Sequence, residues 1–168
     1  MKKFFENWRG YVREQTGDAD LKVIHSLEDI ISYIKENPNQ KIYLDSPKGT
    51  TKKFGGLEKK VLPFDYGEWP DLINPADDMG WDLVLVPGSK ASDDNLVPIG
   101  YVHYHGDPKI WRDEADKEPP KGIQNNDKII LAQDGKFDAD GKSLINNFFN
   151  DLWQIKEVVW FEDHQRET

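Results

Sequence analysis

The chain has 168 residues and a formal net charge of −9, with charged residues at 32% and aromatics at 12%. That length predicts one domain with a substantial core, and the excess of carboxylates disfavours non-specific binding to nucleic acid. The absence of cysteine excludes disulfides, thiol catalysis and cysteine-ligated zinc; no apolar run is long enough for a membrane span, and Met1 to Glu6 turns charged too early for a signal-peptide core, so a cytoplasmic setting is expected.

Phe4, Phe5, Trp8, Tyr11 and Val12 are spaced to share one face of a helix over residues 2–15, read most simply as docked on the domain. Ser26-Leu27-Glu28-Asp29 carries a capping-box pattern, and Ile30, Ile31 and Ile34 continue that helix until Asn37-Pro38 ends it. Lys41 to Leu44 predicts a strand, and Ser46 to Phe54 the loop and strand after it. The Gly49-Thr50-Thr51-Lys52-Lys53 run lacks the spacing of a nucleotide phosphate loop, and its lysines are equally those of a solvated hairpin.

Pro63-Phe64-Asp65-Tyr66-Gly67 and Trp69-Pro70 predict a rigid turn, because two prolines fix φ and a glycine permits a sharp reversal. Asp77, Asp78 and Asp82 follow on a loop that enters Leu83-Val84-Leu85-Val86, an apolar run of the kind buried on both faces. Three carboxylates there are costly to hold together without a cation, although Asp77 and Asp78 also suit a simple turn cap.

Val97 to His105 alternates as a strand, with Ile99, Tyr101, His103 and His105 on one face. The two histidines and Asp107 offer a zinc site, or else are ordinary strand-edge residues. Gly106 to Gln124 is rich in charge and proline. Asp134 to Gly141 lacks the helix before it and the closing glutamate of a calcium loop; it predicts a turn into a helix capped near Ser143, with Ile145, Phe148, Phe149, Leu152 and Trp153 on its apolar face. Glu157 to Phe161 is a last strand. Many short strands with few helices predict an α+β protein built on a mostly antiparallel β-barrel.

The order of these segments over residues 41–162 resembles the soluble family I inorganic pyrophosphatases. Pro63-Phe64-Asp65-Tyr66-Gly67 is similar to that family's P-x-N-Y-G turn, and Asp77 to Asp82 to its D-x-D-P-x-D metal loop. Val97-Pro98-Ile99-Gly100 resembles its R-P-I-G strand, Asp113-Glu114-Ala115 its next acidic element, and Asn126-Asp127-Lys128-Ile129-Ile130 its D-x-K strand. The resemblance implies a five-stranded barrel over residues 41–168, a C-terminal helix, and an added helical segment over residues 1–40. It further implies hydrolysis of pyrophosphate or a related phosphoanhydride with Mg²⁺. Asp77, Asp82, Asp113 and Asp127 would hold metal, Asp127 standing in for Asn126 through a one-residue slip. Asp78 would direct the water beside Asp82, and Lys53, Lys60, Tyr66 and Lys128 would engage phosphate. Gly55, Met79, Asn126 and Trp153 depart from the family pattern, and these departures point to an inactive binding or regulatory descendant.

Overall fold

The computed structural model describes residues 21–54, 58–75, 78–104, 127–152 and 155–161. Its centre is a seven-stranded mixed sheet with a helix on each face, and a separate two-stranded hairpin. The sheet runs through β1 (Lys22–Val23), β5 (Tyr66–Asn74), β6 (Met79–Leu85), β8 (Lys128–Gln133), β7 (Leu96–Tyr104) and β9 (Ile155–Trp160), while β2 (Tyr43–Ser46) pairs with the other half of the β5 edge. β3 (Thr51–Phe54) and β4 (Glu58–Val61) form the hairpin.

The α+β class holds, but the predicted barrel does not form. β6 and β8 are parallel at the centre, β1 and β2 lie along one edge and β9 forms the other, and no pairing among the described residues joins those edges. The reason lies in what covers the faces. A closed barrel fills its interior with its own side chains, whereas here both faces carry apolar rows that helices cover.

Period-two alternation splits the central strands cleanly. Leu83, Leu85, Ile129 and Leu131 turn toward α1 (Leu27–Glu36), whose Ile30 and Ile34 are buried with Trp69 and Trp81. Val84, Val86, Ile130 and Ala132 turn the other way, toward Ile145, Phe148 and Phe149 of α2 (Ala139–Asn150). Phe64 stacks on Phe149 at 5.5 Å and meets Phe148 edge-on at 5.0 Å, which ties the segment before β5 to that helix. The described part of the N-terminal segment is therefore built into the core: β1 pairs with β5, and α1 roofs one face.

Local signals account for most boundaries. Ser26 caps α1, its hydroxyl accepting from the Asp29 amide at 3.1 Å. α2 starts earlier than Ser143 because Asp138 is its cap, accepting from the Gly141 amide at 2.7 Å. Trp69-Pro70, read above as part of a turn, lies inside β5. Pro70 falls where the register with β6 shifts between Trp69 and Ile73, so its missing amide leaves no gap in the ladder.

Candidate functional site

Two polar rows cross the same end of the sheet, one on each face. Both are set by strand register, because directly opposed residues share a face and consecutive residues alternate.

The first row lies on the α2 face. Glu68 on β5 is opposite Asp82 on β6, and the ammonium of Lys128 on β8 donates to Asp82 Oδ2 at 2.9 Å. Lys128 is 3% exposed while the Asp82 side chain is 26% exposed, so the row opens to solvent on the Asp82 side. Lys128 Nζ also lies 5.4 Å from the centre of the buried Tyr66 ring, and Lys52 Nζ lies 4.7 Å from the same ring. Lys52 is in turn held by Asp45 at 2.8 Å. Gly80 makes room for this arrangement, since a Cβ there would lie 2.7 Å from Glu68 Oε2.

The second row lies on the α1 face. His103 on β7 faces Glu157 on β9, and its Nδ1 lies 2.9 Å and 3.1 Å from the two carboxylate oxygens of Asp127. Asp127 is 2% exposed, the His103 side chain 32%. Two places back along β7, burial raises the Tyr101 phenol above its usual value of 10, with Glu157, Asp127 and Glu28 adding to the rise by opposing a phenolate.

Of the residues singled out in the sequence, Asp82, Lys128 and Tyr66 meet in the first row, drawn from three strands. Asp127 lies in the second row, bonded to His103. Asp78 is exposed in the turn between β5 and β6 at φ 58°, with its amide donating to the Asn74 carbonyl at 2.9 Å. Because β6 begins at Met79, Asp82 is well inside the strand rather than at its entry, and four residues of strand put Asp78 roughly 13 Å along the chain from it. Lys60 reaches α2 instead, 3.4 Å from Asp151 and 5.8 Å from the Phe148 ring centre, on the rim of a groove of about 620 Å³. Lys53 pairs with Lys59 in the hairpin ladder. Asp77, Asp113, Asn126, His105 and Asp107 lie outside the described residues.

Glu68, Asp45 and Lys52 join the site without a sequence motif that marks them. Glu68 was legible only as the partner of Asp82, and that pairing requires the β5–β6 register. Among the described residues no three histidine or carboxylate groups gather in reach of one metal ion. Among them, too, no helix is long and apolar enough to cross a membrane. The chain matches no family model and no curated protein.

Proposed function

We propose that the chain is a divergent phosphoanhydride hydrolase of the inorganic pyrophosphatase type, acting on pyrophosphate or a related small phosphorylated ligand in a cytoplasmic setting. The observation that supports this is the meeting of Asp82, Lys128 and Tyr66. The resemblance assigns all three to one site from separate stretches of sequence, and they share one contact set.

Phosphoryl transfer is catalysed by positioning and by neutralising charge on the phosphoryl oxygens. The Lys128 ammonium supplies positive charge at this row, where it donates to Asp82. The carboxylate also keeps a buried cation in one place. Lys52 adds a second ammonium at the same tyrosine ring.

Asp82 and Glu68 are hard oxygen donors of the kind Mg²⁺ takes, but two carboxylates with a lysine bound to one of them do not make a complete ligand set. The described residues alone therefore do not fit the metal. The Mg²⁺ assignment rests on Asp77 and Asp113 joining Asp82.

A second reading, a non-catalytic binding or regulatory protein on the same scaffold, is favoured by Met79. This residue occupies the place of the water-directing acid and pairs with Asn74 in the ladder. Phosphate release from pyrophosphate, with and without Mg²⁺, separates the two. The hydrolase reading expects metal-dependent release that drops at least tenfold in Asp82→Asn; no release by the wild type in any divalent metal leaves only the scaffold.

A further inference from the structure

We infer that His103 is a positioning residue: through Asp127 it fixes the start of β8 and so aims Lys128 at Asp82. The inference rests on the reading above for what Lys128 does, and adds what holds that lysine in place.

Lys128 is the first residue of β8, and its ladder partner on β7 is Val102. The ladder with β6 begins only one residue later, at Leu83 opposite Ile129. Counting outward from Val102 and Lys128, the next opposed pair along these antiparallel strands is His103 and Asp127. The imidazole–carboxylate contact at 2.9 Å and 3.1 Å thus continues the β7–β8 pairing one step beyond the backbone ladder. His103 is held from its other side, where β9 pairs it with Glu157.

Asp127 and Lys128 are consecutive in extended chain, so their side chains leave opposite faces of the sheet. A constraint on Asp127 from the α1 face therefore acts on the backbone that carries Lys128 into the α2 face. Asp127 is 2% exposed, and removing the imidazole leaves part of a buried carboxylate's hydrogen bonding unmet, a cost that a shift of the β8 start relieves. At the far end, Lys128 is 3% exposed and must place one ammonium at 2.9 Å from Asp82 over a flexible four-carbon stem. A small rotation of the β8 start moves that ammonium out of bonding range.

The test reads the ammonium itself. In the ¹⁵N-labelled full chain, buried and carboxylate-bound Lys128 gives a slowly exchanging Nζ signal, assigned by its loss in Lys128→Arg. His103→Asn places an amide nitrogen where Nδ1 was and retains the signal; His103→Leu speeds its exchange at least tenfold. A folded His103→Leu protein that keeps the slow signal overturns the inference even if its melting temperature falls. So does a wild type without such a signal. If His103→Leu does not fold, His103→Ala, which also removes Nδ1, serves instead: faster exchange supports the inference and unchanged exchange overturns it. A wild type that releases no phosphate from pyrophosphate removes the hydrolase reading, while the exchange measurement still decides the role of His103.

Discussion

Gly80 and Tyr101 each have a measurable consequence at the scale of one side chain. A Cβ at Gly80 meets the Trp69 carbonyl and Glu68 Oε2, and the backbone carbonyl cannot swing away as a flexible side chain would. Gly80→Ala is expected to cost about 1–3 kcal/mol, the usual range for overpacking, read from the denaturant midpoint at unchanged slope. A variant as stable as the wild type would mean that β5 and β6 are not so closely apposed. Tyr101 has a phenol raised above 10 by burial and by its acidic neighbours, so the folded chain keeps a proton that the unfolded chain gives up near pH 10. Its contribution to stability is intact below pH 10 and is lost as pH rises from there through the higher folded value. Melting temperature should therefore fall more steeply above pH 10 in the wild type than in Tyr101→Phe. Parallel curves for the two proteins would contradict the assignment.

The elements divide into those that carry the core and those that decorate it. Phe149 is fully buried on α2 and stacks on Phe64, whereas Leu144 on the same helix is 37% exposed. Phe149→Ala should cost about 3–5 kcal/mol by chemical denaturation, and Leu144→Ala distinctly less. Comparable losses would place the helix on the wrong face. The α2 cap is a smaller, separate contribution: Asp138→Ala removes the acceptor for the Gly141 amide and should cost about 1 kcal/mol. The beginning of this helix was partly legible. Its apolar face is plain in Ile145, Phe148 and Phe149, but Asp138 sits in a calcium-loop-like run of Asp and Gly, so sequence alone points to Ser143 as the cap instead. The misplaced turn at Trp69-Pro70 has a similar origin. Proline argues against a regular strand, and only the register shift in β5 shows how one accommodates it.

Across the whole molecule, burial and pairing both concentrate on β6 and β8, which have strand neighbours on both sides and helices over both faces. Amide hydrogen exchange should be slowest in Trp81–Leu85 and Ile129–Ala132, and orders of magnitude faster in β9, which among the described residues pairs on one side only. Equal protection in β9 would indicate a further pairing along that edge, as a closed barrel requires. The same layering sets the chemistry. A two-faced sheet places Lys128 beside Asp82 on one side and Asp127 beside His103 on the other, so two adjacent residues serve two separate rows.

Apart from the grouping of Asp82, Tyr66 and Lys128, which the family resemblance implies, the sequence by itself determined the α+β class, the strand that follows the acidic stretch, and the apolar faces of α1 and α2. These are periodic or compositional signals, and each is local. Only the tertiary structure decided that the sheet stays open, that Asp78 stands apart from Asp82, that Lys60 belongs to α2, and that Glu68 and His103 complete the two rows. Strand register fixes the two rows, the start of β6 at Met79 sets Asp78 apart from Asp82, and the packing of the hairpin beside α2 places Lys60. A shift of one residue would exchange the faces without changing any local pattern the chain displays.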